Sequence, residues 1–82
     1  MIARALSRNQ RECLDQAARH PTLQRTRGGY QGEGAQGKDR LAYFKARTVF
    51  ALEREGLLAA AEPGSAARYR ITGAGRAEVP HA

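Results

Sequence analysis

The chain has 82 residues, a formal net charge of +6 at pH 7 and a pI near 10.5. A domain of this size buries only about 60–65% of its unfolded surface, so its core is thin and a deep enzyme cleft is hard to build. The basic excess favours polyanionic partners such as DNA, RNA or an anionic membrane face. We therefore expect one small binding domain and no enzyme.

Cysteine content and hydropathy indicate in which cellular compartment the protein is expected. Cys13 is the only cysteine, which excludes an internal disulfide and fits a reducing compartment. We expect it to be a buried small apolar side chain rather than a reactive thiol. No apolar run approaches the ~20 residues of a membrane span. The first ten residues lack the apolar core of a secretory signal, so we expect a cytoplasmic protein with no membrane partner.

The first element is predicted to be an amphipathic helix that starts at Ser7. The Ser7 hydroxyl can cap the helix, and Gln10 three residues later completes a capping box. Cys13, Leu14 and Ala17 share one face with Gln10, as the helical period requires. The His20-Pro21 pair ends the helix, because a residue before proline disfavours helical backbone.

A short extended segment is predicted from Thr22 to Tyr30, and a flexible glycine-rich loop spans 28–38. Gly32 to Lys38 match two phosphate-loop patterns, G-x-G-x-x-G and G-x-x-x-x-G-K. The preceding residues are polar, however, and Asp39 stands where a magnesium-binding hydroxyl is needed. We therefore expect no nucleotide or other cofactor. His20 and His81 lack cysteine or acidic partners at ligand spacing, so we expect no metal.

The central helix is predicted over about 42–55, with a start that the sequence leaves open between Asp39 and Arg47. Val49 and Leu52 should face the core, while Lys45, Arg47 and Thr48 should point away from it. Tyr43 and Phe50 share a face with Ala46.

A hairpin is predicted over 57–72. Gly56 suits the left-handed position that ends a helix, and Pro63, Gly64 and Ser65 are turn residues. Tyr69 and Ile71 alternate with polar residues, as in a half-buried strand. Thr72 can cap a last short helix that runs to Glu78.

The stretch LEREGLL, a turn and then YRITGAGR resembles the C-terminal half of a winged-helix domain, as in bacterial regulators of the MarR and PadR kind. The resemblance implies a small α+β winged-helix domain in which 42–55 is the DNA-recognition helix and 57–72 is the wing. It also implies a second helix before the recognition helix, where this chain has the glycine-rich loop. Either that helix is reduced to a turn around Lys38 to Tyr43, or the first half is rewired.

Function is expected to follow the charge. Between Arg19 and Arg47, seven basic residues face only Glu33 and Asp39, a net charge of +5. We expect a DNA-binding protein, a transcriptional regulator or accessory factor, whose central helix enters the major groove and whose wing lies on the DNA backbone. The residues expected to contact double-stranded DNA are Arg25, Arg27, Lys38, Arg40, Lys45, Arg47, Thr48, Arg68 and Arg70.

Two other functions stay open. The basic face can meet an acidic protein partner, as in an adaptor on the same fold, with Tyr30, Tyr43 and Phe44 as anchors. The same three aromatics can instead stack on the bases of RNA or single strands. A homodimer on two half-sites is a further expectation for a small DNA-binding domain. The predicted core comprises Leu6, Cys13, Leu14, Ala17, Leu23, Val49, Phe50, Leu52, Leu57, Leu58, Tyr69 and Ile71.

Overall fold

A computed structural model describes residues 5–79 as helices packed on one face of an antiparallel sheet. The chain is therefore a mixed α+β domain, as the sequence predicted. No helix within 5–79 has the length and apolarity needed to cross a bilayer. The elements in chain order are α1 (Arg8–Arg19), β1 (Leu23–Thr26), β2 (Gly29–Gly32), a 3₁₀ helix (Gly37–Leu41), α2 (Ala46–Arg54), β3 (Leu58–Ala60), β4 (Arg68–Ile71) and α3 (Gly73–Ala77).

The sheet has the strand order β2-β1-β4-β3, and every neighbouring pair is antiparallel. Leu23 of β1 is the junction of the two halves, because it pairs with Gly32 of β2 on one side and Tyr69 of β4 on the other. An isolated bridge between Tyr30 and Phe44 adds one more residue pair at the outer edge of β2. This bridge ties the segment before α2 to the first hairpin.

The helix ends follow the local signals in the sequence. The Ser7 hydroxyl accepts the Gln10 backbone N–H at 3.1 Å, and the Gln10 side chain accepts the Ser7 N–H at 2.9 Å. The predicted capping box is confirmed, as is the end of α1 at His20. Gly56 has a φ of +79° after α2, and the Thr72 hydroxyl caps α3 by accepting the Gly75 N–H at 3.0 Å. These helix ends thus have the residues that their unpaired backbone groups need.

The core is largely the predicted one. The buried apolar residues are Cys13, Leu14, Ala17, Leu23, Tyr30, Phe44, Val49, Leu52, Leu57, Leu58 and Tyr69. Leu6 and Ile71 are half-buried against them. Phe50 was assigned wrongly, since 39% of it is exposed. Burial raises the pKa of the Cys13 thiol to about 12, so the thiolate that reacts is scarce, in keeping with a packing role.

Much of the glycine-rich stretch has regular secondary structure, where a loop was predicted. Its first part is strand β2, because Tyr30 supplies a buried anchor and Gly29 and Gly32 pair with β1. Gly32 also lies against the His20 ring, where a Cβ would overlap the imidazole. The rest makes a turn and the 3₁₀ helix. Where one extended segment was predicted from Thr22 to Tyr30, the chain instead forms a hairpin that turns at Arg27-Gly28.

The central helix begins at Ala46 rather than near residue 42. Phe44 is extended because its N–H and C=O both bond to the Tyr30 backbone, at 2.8 and 2.7 Å. Lys45 remains extended as the N-cap. β2 and the 3₁₀ helix therefore occupy the interval in which the resemblance placed a second helix.

Candidate nucleic-acid interface

The cations that the sequence singled out share one property. All eight are exposed, and none has an ion-pair partner among residues 5–79. By contrast, Arg8 pairs with Glu12 and Arg19 pairs with Asp39. The eight are Arg25, Arg27, Lys38, Arg40, Lys45, Arg47, Arg68 and Arg70.

Three of these cations surround the place where the first hairpin meets α2. The Tyr30–Phe44 bridge sets Lys45 beside the outer edge of β2. The Tyr43 ring lies against Gly28 of the hairpin turn, about 3.2 Å from where a Cβ would stand. Arg27 precedes that glycine, and Arg25 pairs across the strands with Tyr30. The fold thus brings Arg25, Arg27 and Lys45 together from two separate segments.

The outward face of α2 continues this basic region. Arg47, Phe50 and Arg54 are exposed and stand three and four residues apart, so they lie on one side of the helix. Arg54 was not among the predicted contact residues, although its spacing from Arg47 was visible in the sequence. We call the following set the α2 surface: Arg25, Arg27, Tyr43, Lys45, Arg47, Phe50 and Arg54.

Thr48 does not belong to that surface, and the expectation that it points away from the core was wrong. Only 9% of Thr48 is exposed, and its hydroxyl accepts a hydrogen bond from the Asn9 amide at 3.1 Å. Val49 and Leu52 face the core from neighbouring positions. The start of α2 at Ala46 turns Thr48 towards α1, so its hydroxyl is not available to a base.

Arg68 and Arg70 lie on a different side of the molecule. They alternate with the buried Tyr69 along β4, so they point away from the face on which α2 packs. Tyr69 itself contacts α2, through the Phe50 ring at a centroid distance of 6.1 Å and through Glu53 at 3.3 Å. The two arginines are therefore separated from the α2 surface by the thickness of the sheet.

Lys38 and Arg40 belong to the 3₁₀ helix, which is held against the end of α1. The Asp39 carboxylate accepts two hydrogen bonds from Arg19, at 2.8 and 3.1 Å, and lies 3.0 Å from His20 Nε2. Hydrogen bonds from Arg19, and to a smaller extent from His20, lower the pKa of Asp39 to about 2. The sequence missed this contact for His20, since Asp39 is 19 residues away.

The aromatic residues proposed as anchors are mostly buried. The Tyr30 ring meets the Tyr69 and Phe50 rings edge to face, at centroid distances of 5.6 and 6.2 Å. The Tyr30 hydroxyl donates to the Ala66 carbonyl at 2.5 Å. Burial raises the pKa of Tyr30, which the nearby Arg25 partly offsets. Tyr30 and Phe44 thus cannot stack on bases without unfolding the core, whereas Tyr43 is 48% exposed.

Residues 5–79 hold no group of three or more histidine, cysteine, aspartate or glutamate side chains arranged for a metal ion. The chain matches no protein-family model, no curated protein and no solved structure.

Proposed function

We propose that this protein binds double-stranded DNA through the α2 surface, as a regulator of transcription or an accessory DNA-binding factor. The observation that carries the proposal is the set of exposed cations without carboxylate partners. Each cation that meets a phosphate releases a condensed counterion, which favours binding. An ion-paired arginine would first have to leave its partner, whereas these cations make no ion pair within residues 5–79.

The geometry of α2 supports groove entry. A B-DNA major groove admits an α-helix, and α2 has nine residues with Arg47 in its first turn. Lys45 is the N-cap and uses no side chain to cap the helix, so the first backbone N–H groups add to the positive potential there. Ala46 is small and exposed, which lets the helix approach closely. Arg25 and Arg27 on the hairpin then reach the flanking phosphates.

The resemblance to winged-helix regulators supports the same proposal. It rests on Leu52–Leu58 and Tyr69–Arg76, and α2 is followed directly by the β3–β4 hairpin. In such a domain that hairpin is the wing. Arg68 and Arg70 then contact the DNA backbone outside the segment covered by α2, or contact a separate segment.

Fluorescence anisotropy of a labelled duplex at several salt concentrations tests the proposal. One phosphate contact each from Arg25, Arg27, Lys45 and Arg47 predicts a slope of log K against log salt of about −3 to −4. Arg47→Gln should weaken binding about tenfold and flatten that slope by about 1. Arg76→Gln is the charge-matched control, since Arg76 is exposed on α3. No binding by the wild-type protein at low salt would refute the proposal.

A protein-interaction adaptor is the second candidate, and the exposed apolar side chains favour it. Leu41 is 82% exposed and lies beside Tyr43 in sequence. Clusters of apolar side chains with a cationic rim are typical of protein interfaces. An acidic partner that competes with DNA and loses affinity on Leu41→Ser would support the adaptor. Leu41→Ser should leave duplex binding unchanged, since Leu41 carries no charge.

A further inference from the structure

A cavity of about 320 Å³ opens between α1 and the segment that contains the 3₁₀ helix. This size is in the lower range of small-molecule sites. Its wall holds three carboxylates, two cations, one amide and an apolar floor. The lining residues are Glu12, Asp15, Gln16, Arg19, Lys38, Asp39, Ala42 and Phe44.

Most charges in the cavity are already engaged. Glu12 pairs with Arg8 at 3.1 Å, and Asp39 pairs with Arg19 at 2.8 Å. Asp15 and Lys38 differ: within 5–79 neither forms an ion pair, and they do not pair with each other. The Asp15 charge acts on Arg19 only from a longer distance, as the smallest of the contributions that raise the pKa of Arg19. An acid and a base thus line one cavity without touching.

Gln16 supplies a second, independent observation. It is only 1% exposed, and its Oε1 accepts the Gly32 N–H at 2.5 Å. Its Nε2 makes no hydrogen bond to residues 5–79. Within those residues, however, every fully buried side-chain nitrogen or oxygen atom has a hydrogen-bond partner, so Nε2 is not fully buried. The amide N–H₂ therefore keeps a small accessible area, and Gln16 lines the cavity. A nearly buried donor of this kind calls for an acceptor.

We propose that this cavity binds a small aliphatic α-amino acid. The ligand ammonium pairs with the Asp15 carboxylate, and the ligand carboxylate lies between Lys38 and the Gln16 amide. The aliphatic side chain packs on Ala42 and Phe44, which form the apolar floor. A zwitterion fits better than a simple ion, because it satisfies both unpaired charges at once. The site uses no residue of the α2 surface, although Lys38 is also one of the eight exposed cations on which the DNA proposal rests.

The test uses the whole chain and three related probes: L-leucine, L-leucinamide and N-acetyl-L-leucine. L-Leucine should raise the melting temperature and shift the Gln16 side-chain amide resonances in a ¹⁵N–¹H spectrum. Leucinamide lacks the carboxylate and N-acetyl-leucine lacks the ammonium, so each should bind at least about tenfold more weakly. The proposal is overturned if no probe shifts these signals, or if leucinamide binds as tightly as leucine.

Two variants locate the site. Asp15→Asn keeps the shape of its side chain, and Lys38→Gln replaces a flexible side chain with a shorter polar one. Each removes one charge, so each should weaken leucine binding at least about tenfold. Circular dichroism checks that both variants fold. Glu62→Gln and Arg76→Gln are exposed charge-matched controls outside the cavity and should bind leucine normally. Wild-type affinity in both cavity variants would overturn the proposal, whether or not the protein binds DNA.

Discussion

At the scale of single residues, the hydrogen bond from Asn9 to Thr48 joins α1 to the first turn of α2. It lies between two packed helices, where an unmet hydroxyl or amide costs more than in water. The orientation of Arg47 depends on the rotation of α2, and Thr48 helps to fix that rotation. Thr48, which was predicted to contact DNA, thus helps to orient Arg47, which we propose makes such a contact.

The Thr48→Val variant separates these two roles. Valine keeps the shape but loses the hydroxyl, so we expect about 1 kcal/mol of lost stability in urea unfolding. Duplex affinity, measured on the folded protein, should change less than about twofold. A large loss of affinity with unchanged stability would show that the hydroxyl contacts DNA after all.

Residue exposure on α2 was predictable only in part. Helical spacing correctly placed Val49 and Leu52 in the core. It could not fix the first helical residue, which depends on the long-range bridge between Tyr30 and Phe44. An error in the first residue of α2 changes which side chains at the border of the core are buried and which are exposed. Thr48 and Phe50 both lie at that border. The errors thus arise from tertiary pairing rather than from local propensity.

At the scale of elements, α3 shows how a short helix is held. α3 has five residues, too few to be stable alone. Gly75 is buried against the Leu57 carbonyl and the Ile71 side chain, where a Cβ would overlap both. The close approach requires glycine, so packing overrides helix propensity at this position.

A matched pair of substitutions tests this view of α3. Gly73→Ala meets no atom within 4 Å and should be neutral or stabilising by up to about 1 kcal/mol, because alanine favours helix. Gly75→Ala should instead destabilise the domain by about 1–3 kcal/mol, because the backbone must shift. Thermal and urea unfolding compare the two variants directly. Equal stabilisation by both would mean that α3 is not docked as described.

Elements with strong local signals were predicted well, and elements made by pairing were not. α1 has a capping box and a proline stop, and β4 has a clear alternation around Tyr69. β2 contains two glycines in four residues, a composition that locally favours a loop. It becomes a strand because β1 pairs with it and Phe44 bonds to its other edge. For the same reason, the basic cluster around the first hairpin was predictable in composition but not in position.

At the scale of the whole molecule, Asp39 links the 3₁₀ helix to α1. Its pKa is lowered from 3.8 to about 2, chiefly by the Arg19 hydrogen bonds. A carboxyl whose pKa is lower in the folded state stabilises the fold at pH values above its pKa in the unfolded state. This contribution is lost as the pH falls towards its pKa in the folded state. The Asp39 contribution should therefore disappear between about pH 4 and pH 2.

The Asp39→Asn variant isolates that contribution from the other carboxyls. It should be less stable than wild type at pH 7 by about 1–2 kcal/mol, since Asp39 loses charged hydrogen bonds to Arg19, whose side chain is about half exposed and therefore screened by solvent. The difference should shrink as pH is lowered through the window between 4 and 2, because wild-type Asp39 then becomes neutral as well. Urea unfolding at several pH values measures it. A difference that stays constant with pH would mean that Asp39 acts through packing alone.

The distribution of charge over the molecule decides whether DNA is bound at one surface or attracted by net charge alone. Lys45→Gln with Arg47→Gln and Arg68→Gln with Arg70→Gln each remove two exposed, unpaired cations, but from opposite sides of the sheet. If net charge alone attracts DNA, both double variants should weaken binding equally. If the α2 surface binds, the first pair should weaken it about a hundredfold on a short duplex and lower the magnitude of the salt slope by about 2. The second pair should weaken it less than about fivefold, because the sheet separates those arginines from α2.

Anisotropy titration of a duplex just long enough to span one face of the protein distinguishes the two cases. Equal losses of affinity in both double variants would contradict the proposal that α2 binds in the groove.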